Sequence, residues 1–170
     1  MERLMSNRIL QFLNKYDILC DEQYGFRPKH STEHALIDAI DKLYSSLDDN
    51  KTCIGVFMDL SMAFDTVDHT VLLNKMHQYD IRGTIHNWIN GYLSDRYLFT
   101  SVKNTYSHPG KIQCGVPQGS ILGPLLFIIY VDDICRVSNK ARIVFFADDT
   151  NIFFESDVND SNFHAVVLYS

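Results

Sequence analysis

Residues 143–154, IVFFADDTNIFF, hold two apolar segments, 143–146 and 152–154, on either side of a pair of adjacent aspartates. Both segments are rich in β-branched and aromatic residues, which is typical of β-strands. The residues between them include Asp and Asn, which favour turns. The stretch therefore predicts a tight β-hairpin with Asp148 and Asp149 at its tip.

A third apolar segment ends at another aspartate. Residues 53–58 (CIGVFM) form a nearly continuous apolar run, as expected of a strand buried on both faces, and Asp59 follows directly. We expect carboxylates beside such runs to be partly desolvated, which is unfavourable unless they are paired or bind a cation. The adjacent like charges of Asp148 and Asp149 add to this penalty, and a divalent cation relieves it. Oxygen ligands of this kind suit Mg²⁺ or Mn²⁺. Because Asp also favours turns, spacing alone leaves a metal site and a plain turn both open.

The rest of the sequence predicts helices and a second hairpin. Residues 119–134 are apolar enough for a buried helix, with Pro124 tolerable only near its first turn. Residues 97–102 and 110–114 flank a turn-rich stretch and predict a hairpin, and residues 21–29 predict a loop. Amphipathic helices are predicted at residues 4–13, at 35–43 behind a Ser31 or Thr32 cap, at 71–79 and at 85–93.

Composition indicates one folded domain. The chain has 170 residues, of which 46% are hydrophobic, so it can bury a core of its own. A net charge of −6 argues against binding to phosphates, which normally requires clustered Lys and Arg. The four cysteines are scattered without a CxxC pair, and we predict reduced thiols of an intracellular protein. No signal peptide is evident, and no apolar run approaches the roughly 20 residues of a membrane span.

Four ordered sequence blocks resemble those of one enzyme family, the reverse transcriptases of non-LTR (LINE-type, jockey-like) retrotransposons. Telomerases and retroviral enzymes lack the string GVPQGSILGPLL, so the resemblance is to the retrotransposon enzymes. It covers about residues 1–155. The matching blocks are QYGFR with ST and AL (23–27, 31–32, 35–36), motif A (FMDLS, 57–61, through AFDTVDH, 63–69), motif B (GVPQGSILGPLL, 115–126) and motif C (FADDT, 146–150).

The resemblance implies a two-metal site. Asp59 and Asp148 match the carboxylates that bind both catalytic Mg²⁺ (or Mn²⁺) ions, and Asp149 matches the second member of the motif C pair. Two such ions activate a primer 3′-hydroxyl and stabilise the leaving pyrophosphate. The resemblance thus favours the metal-site interpretation of the three aspartates.

Motif A and motif B positions also imply nucleotide contacts. Ala63 and Phe64 match positions that meet the incoming nucleotide, with Phe64 as the steric gate that excludes a ribose 2′-hydroxyl. Gln118 and Gly119 match residues that support the nucleotide and the template base. Without the resemblance, Phe64 is an ordinary core aromatic and residues 117–119 are a turn before a helix.

Other residues of these blocks have weaker implications. Arg27 is a candidate for contact with nucleic acid, and equally a structural arginine. Asp65, Asp68 and His69 fit the family pattern but can equally cap the following helix. Met62 stands where relatives commonly have Lys. We expect the loss of that positive charge to weaken nucleotide binding.

The resemblance implies an α+β fold: a polymerase palm with an antiparallel sheet backed by helices, plus a helical part of the fingers. We predict a single partial reverse transcriptase domain over residues 1–170. Residues 1–50 are the fingers-side helices, 51–155 carry the palm motifs, and 156–170 form a truncated tail. The family's basic fingers motif and its thumb are expected outside this sequence, which reconciles the acidic charge with nucleic-acid binding.

The activity implied is RNA-directed DNA synthesis, in which dNTPs are added to the 3′-end of a DNA primer on an RNA template. The expected setting is the cytoplasm or nucleus, without a membrane. The alternative is a catalytically dead retrotransposon remnant, since missing parts can abolish activity even when Asp59, Asp148 and Asp149 are intact.

Overall fold

The computed structural model describes residues 1–138 and 141–157. Its helices are α1 (Glu2–Lys15), α2 (Thr32–Asp48), α3 (His69–Gln78), α4 (Gly83–Leu93) and α5 (Gly123–Val131), with 3₁₀ segments at Ala63–Thr66 and Asp132–Arg136. Its strands are β1 (Lys51–Met58), β2 (Tyr97–Leu98), β3 (Ser101–Val102), β4 (Thr105–Tyr106), β5 (Gly110–Lys111), β6 (Ala141–Phe146) and β7 (Asp149–Asp157). Helices combined with antiparallel strand pairs confirm the predicted α+β class. Of the predicted tail, residues 158–170 lie outside the described residues.

The chain divides into two compact units. The helical unit comprises Met1–Ile18 and Met62–Val131, with α1, α3, α4, α5 and the short strands β2 to β5. The sheet unit comprises Leu19–Ser61 and Asp132–Ser170, described as far as Asp157, with α2, β1, β6 and β7. The boundaries predicted at residues 50 and 155 remain a prediction.

Three antiparallel strands form the sheet of the sheet unit, in the order β1-β7-β6. Strands β6 and β7 are the hairpin predicted from the opening stretch of sequence. Helix α2 packs on this sheet, where Ala35, Val144 and Phe153 form a buried core. The helix begins after Ser31, whose Oγ accepts a hydrogen bond from the His34 N–H at 3.3 Å. This confirms the predicted N-terminal cap.

Burial in the sheet unit differs from the prediction. Strand β1 is not buried on both faces, since Phe57 is 72% exposed. In the order β1-β7-β6 it is an edge strand, so its apolar run did not signify a central position. Part of the predicted apolar face of α2 is also exposed, including Leu36 at 60%.

The turn of the hairpin between β6 and β7 is shorter than predicted. Only Ala147 and Asp148 form it, and Asp149 already belongs to β7, where it pairs with Phe146. Asp148 therefore lies in the turn and Asp149 in the strand. A hairpin can close with two turn residues, so the strand pairing continues as far as Phe146 and Asp149.

Helix α5 is the core of the helical unit, with residues 125–129 all buried. It begins at Gly123 rather than at the predicted Gly119, and Ser120 makes a local turn just before it. The Ser120 Oγ accepts from the Gly123 N–H at 2.9 Å and donates to the Pro117 carbonyl at 2.7 Å. The proline of the predicted helix thus lies in the first turn, as expected.

The second predicted hairpin is more elaborate than expected. Strand β2 pairs with β5, and β3 pairs with β4 inside the same stretch, each as a two-residue antiparallel pair. Every residue of these four strands is exposed.

One pair of cysteines corrects the prediction of reduced thiols. Cys20 and Cys135 form a disulfide, whereas Cys53 and Cys114 are free. The two partners are 115 residues apart in sequence, so their proximity could not be inferred from spacing. No helix within the described residues is long and apolar enough to cross a membrane.

Candidate active site

Two of the predicted catalytic carboxylates lie at the same end of neighbouring strands, Asp59 directly after β1 and Asp149 as the first residue of β7. Met58, the last residue of β1, pairs with Thr150, so one further step of the antiparallel register places Asp59 opposite Asp149. Asp149 is held from the other side by its pairing with Phe146. The sheet therefore brings Asp59 and Asp149 together at the ends of adjacent strands.

A cleft of about 400 Å³ lies beside these two aspartates. Asp59 and Asp149 line it at the sheet end, and Thr32, Ala35 and Leu36 line it from α2. Asp148 is not part of the lining of this cleft.

Asp148 lies in the turn, one residue before β7. Its predecessor Ala147 has a left-handed φ of 59°, whereas Asp148 is not among the residues with positive φ. This pattern matches a type II′ turn, in which the first central residue has positive φ. The backbone of Ala147 therefore sets the position of Asp148 at the tip of the hairpin, next to Asp149.

The three carboxylates are more accessible than the sequence suggested. Asp59 and Asp149 are exposed and Asp148 is half-buried, so the prediction of desolvated carboxylates is wrong for the first two. The cause is the edge position of β1 and the location of both residues at strand ends. Within residues 1–138 and 141–157, none of the three carboxylates has a hydrogen-bond or ion-pair partner.

The donor set fits divalent metal ions in chemistry, although the ligand atoms are spread apart. Carboxylate oxygens without protein partners are the ligands that Mg²⁺ and Mn²⁺ prefer. Yet the three aspartates are not among the described groups whose ligand atoms all lie within 4.8 Å of one another. Such a group exists at Cys20, Glu22 and Cys135, and two of its members are joined in the disulfide. Rotation of the exposed aspartate side chains is needed before the three can share an ion.

The predicted nucleotide-binding residues belong to the helical unit. There the 3₁₀ segment Ala63–Thr66 is hydrogen-bonded to the motif B loop, residues 115–119. The Val116 N–H donates to the Phe64 carbonyl at 2.8 Å, and the Gly115 N–H donates to the Val67 carbonyl at 2.7 Å. Motif A and motif B residues are thus fastened together by their backbones.

Glycine is required at two positions of the motif B loop. Gly115 has a φ of 89°, and a Cβ there would lie 2.7 Å from the Asp65 carbonyl oxygen. Gly119 has a φ of 76°, with open space around it. Both conformations lie in the left-handed region that other residues rarely adopt.

A side-chain pair links the same two motifs. The Gln118 Nε2 donates to both carboxylate oxygens of Asp65, at 3.0 and 2.9 Å. Both residues line a second cleft of about 600 Å³, which Arg96 and Leu98 also line. Asp65 therefore fixes the orientation of the Gln118 amide at the edge of a cleft.

Phe64 packs like a core aromatic and still keeps part of its surface open. Its ring stacks on Phe127 of α5 at a centroid distance of 4.5 Å and an interplanar angle of 27°. Phe64 is half-buried, whereas its neighbour Ala63 is buried. The stacking fixes the ring plane, which a core role and a role as steric gate both need.

Asp68 and His69 have structural roles. The Asp68 Oδ1 accepts from the Val71 N–H at 2.9 Å and caps α3. The His69 Nε2 lies 2.7 Å from the Gly115 carbonyl, which can only accept, so this nitrogen carries a proton. A nitrogen engaged as a donor is not poised to act as a general base.

Arg27 contacts its own loop. Its guanidinium donates to the Cys20 carbonyl and, at 3.4 Å, to the Gln23 carbonyl. These contacts support the structural interpretation of Arg27.

Met62 is 70% exposed and has a φ of 55°.

Two further residues of the site were not singled out by sequence reasoning. Gln23 belongs to the first sequence block, for which no role of this residue was predicted. Its side chain is buried against the turn that carries Asp148. Asp65 was considered as a helix cap, and instead it binds Gln118, 53 residues away. In the sequence, Gln23 stands out only as a glutamine in a predicted loop that also contains Gly25. This pattern does not indicate which residue the side chain contacts.

Comparison with known proteins agrees with this description. A sequence profile of the family described as "Reverse transcriptase (RNA-dependent DNA polymerase)" matches residues 1–168. The profile covers nearly the whole chain, and this chain therefore belongs to the reverse transcriptase family. The resemblance inferred from the four sequence blocks is thereby confirmed.

Several of the similar curated proteins come from transposable elements of Drosophila melanogaster. The chain is 34% identical over 163 residues to a "Probable RNA-directed DNA polymerase from transposon BS". It is 30% identical over 159 residues to the corresponding protein "from transposon X-element" and 30% identical over 163 residues to the "RNA-directed DNA polymerase from mobile element jockey". These matches cover 91–92% of this chain and 17–18% of the relatives, so the chain spans less than a fifth of their length.

Proposed function

We propose that this chain is the catalytic segment of an RNA-directed DNA polymerase of a non-LTR retrotransposon. It adds dNTPs to the 3′-end of a DNA primer, directed by an RNA template, inside the cell in the cytoplasm or nucleus. The observation that supports this most is the pairing of Met58 with Thr150, which brings the adjacent residues Asp59 and Asp149 to the lining of one cleft. Membership of the reverse transcriptase family supports the choice of reaction.

In this proposal Asp59, Asp148 and Asp149 hold two Mg²⁺ or Mn²⁺ ions. When bound, such ions lower the pKa of a hydroxyl nucleophile and stabilise charge on the leaving pyrophosphate. The contribution of the chain is to present three carboxylates, Asp59 just after β1, Asp148 in the turn and Asp149 at the start of β7, with no internal partner competing for them within the described residues. The backbone pairing of β1, β7 and β6 fixes the backbone positions from which these side chains extend.

Four residues of the helical unit are proposed to bind the nucleotide. Phe64 acts as steric gate, and its stacking on Phe127 keeps the ring from rotating away from a ribose. Ala63 leaves room beside it. Gln118 and Gly119 support the nucleotide and template base, and the bond from Gln118 to Asp65 orients the amide for that task.

The domain assignment completes the proposal. Residues 1–50 are fingers-side helices and residues 51–155 form the palm of a single reverse transcriptase domain. Template and primer are held in part by segments that relatives have and this sequence does not include, since it spans 18% of the length of its relative from transposon BS. Arg27 is proposed to stabilise its own loop rather than to bind the template, because one guanidinium nitrogen already donates to two backbone carbonyls of that loop.

Primer extension tests the proposal. We expect the longest open reading frame that contains this chain to extend a DNA primer on an RNA template with Mg²⁺. Asp148→Asn should abolish extension. Asp41→Asn should leave primer extension intact. Asp41 is an exposed residue of α2 outside the lining of the cleft, and its substitution removes the same single charge.

Two results would contradict the proposal. If Asp148→Asn extends the primer as well as the unmodified protein, the metal assignment is wrong. If the unmodified protein binds Mn²⁺ and folds but never extends a primer, the chain is a remnant that keeps its metal site without activity.

A further inference from the structure

We infer that Gln23 is a positioning residue for the turn that carries Asp148, acting through the backbone of Ala147. The inference rests on the proposed function, because it concerns how a metal ligand is aimed. It adds a residue that contacts neither ion nor nucleotide.

The side chain of Gln23 forms hydrogen bonds with both backbone polar groups of Ala147, its N–H and its carbonyl. Its Oε1 accepts from the Ala147 N–H at 3.1 Å, and its Nε2 donates to the Ala147 carbonyl at 3.3 Å. The same Oε1 accepts from the Gly25 N–H at 2.8 Å, which fixes the amide in its own loop. Gln23 is 1% exposed, so water cannot replace these bonds.

Ala147 is a residue that needs such support. Its φ of 59° is unfavourable for a residue with a Cβ, and the first central position of a type II′ turn normally holds glycine. Left to itself, an alanine at this position would tend toward negative φ, which would swing the following residue. Because Asp148 is that residue, the bonds from Gln23 maintain the direction of a proposed metal ligand.

The loop that carries Gln23 is itself anchored to β6. Gln23 and Phe145 form a parallel bridge, in which the Phe145 N–H donates to the Glu22 carbonyl at 2.8 Å and the Tyr24 N–H donates to the Phe145 carbonyl at 2.9 Å. A Cβ on Gly25 would collide with the backbone of Ala147. The loop therefore lies directly against the turn, and the amide of Gln23 has little freedom to move.

The experiment separates positioning from simple core support. Gln23→Met keeps the length of the side chain and removes all three polar contacts. Gln23→Glu keeps the two acceptor bonds and loses the bond to the Ala147 carbonyl. Phe153→Leu serves as control, because it perturbs the same buried core on the sheet without touching the turn.

Two readouts are made on the 170-residue chain. The first is the amide exchange rate of Ala147 in metal-free protein, measured by NMR. The second is the dissociation constant of Mn²⁺, measured by titration with electron paramagnetic resonance. We expect Gln23→Met to accelerate Ala147 exchange and to weaken Mn²⁺ binding about tenfold, the lower end of the effect of outer-shell residues on metal sites. Gln23→Glu should fall between Met and the unmodified chain, and Phe153→Leu should lower the melting temperature while leaving both readouts unchanged.

The outcomes are distinguishable from a failure of the proposed function. If the unmodified chain and Asp148→Asn bind Mn²⁺ equally, the metal assignment fails. If Asp148→Asn weakens binding but Gln23→Met changes neither readout, the inference about Gln23 is overturned. Should Gln23→Met not fold, Gln23→Glu decides, and values equal to those of the unmodified chain overturn the inference.

Discussion

The amide of Gln118 donates to both carboxylate oxygens of Asp65, at 3.0 and 2.9 Å, and so joins the motif B loop to the motif A segment by side chains. Gly115 joins the same segments by backbone, since its N–H donates to the Val67 carbonyl at 2.7 Å. The two links act on the same pair of segments from both ends of the loop. Both should therefore contribute to the stability of the helical unit.

The side-chain link is tested by a double-mutant cycle. We expect Asp65→Ala and Gln118→Ala to destabilise the chain non-additively, with a coupling energy of about 0.5–1 kcal/mol, because both partners are exposed and solvent screens the interaction. The measurement is urea unfolding of the unmodified chain, both single variants and the double variant. Additive effects would mean that the two side chains do not interact in solution.

The backbone link is tested at glycine. Gly115→Ala should destabilise the chain by about 2 kcal/mol or more, because it combines positive φ with a collision against the Asp65 carbonyl. Gly91→Ala is the matched control, since Gly91 lies within α4 with open space around it. That substitution should stabilise by about 0.5–1 kcal/mol through helix propensity. Equal effects of the two substitutions on the melting temperature would contradict the assigned loop geometry.

Metal binding should stabilise the fold. At a Mn²⁺ concentration about 100 times the dissociation constant, we expect a gain of about 2.7 kcal/mol in the free energy of unfolding. Asp59→Asn and Asp148→Asn should abolish most of this gain, whereas Asp41→Asn should preserve it. Thermal unfolding with and without Mn²⁺ measures the effect, and a gain that survives in Asp148→Asn would place the ion elsewhere.

Alkaline pH should destabilise the chain partly through Tyr24. Burial, and then the charge of Asp38, raise the pKa of Tyr24 to about 12 from an ordinary 10.0. Because the folded pKa is raised, its stabilising contribution is present below pH 10 and is lost as pH rises toward 12. Between pH 9 and pH 11 the free energy of unfolding should fall by about 1 kcal/mol more in the unmodified chain than in Tyr24→Phe. Urea unfolding at the two pH values gives this difference, and parallel losses would contradict it.

The strands and helices were predictable from sequence because each depends on local pattern. The hairpin of residues 143–154 and the Ser31 cap follow from strand propensity and cap chemistry within a few residues. The edge position of β1 was not predictable, since an apolar run does not reveal how many neighbours a strand has. For the same reason the exposure of Asp59 was misjudged.

The proposed metal ligands of the candidate site could be predicted from the sequence. The residues that hold the backbone around those ligands could not. Asp59, Asp148 and Asp149 stand out as charges beside apolar runs. The contact of Gln23 with Ala147 joins residues 124 apart, and no local pattern encodes it. The disulfide between Cys20 and Cys135 is hidden in the same way. Long-range polar contacts depend on the packed fold, which the sequence specifies only as a whole.

Thiol chemistry tests that disulfide. Under non-reducing, denaturing conditions we expect two titratable thiols per chain, those of Cys53 and Cys114, and four after reduction. Because the bridge closes a long loop of the unfolded chain, its reduction should destabilise by about 2–4 kcal/mol. Reductant should lower the melting temperature of the unmodified chain and leave that of Cys20→Ser unchanged. Four thiols before reduction would instead show that Cys20 and Cys135 are reduced, which is the state that the sequence predicts.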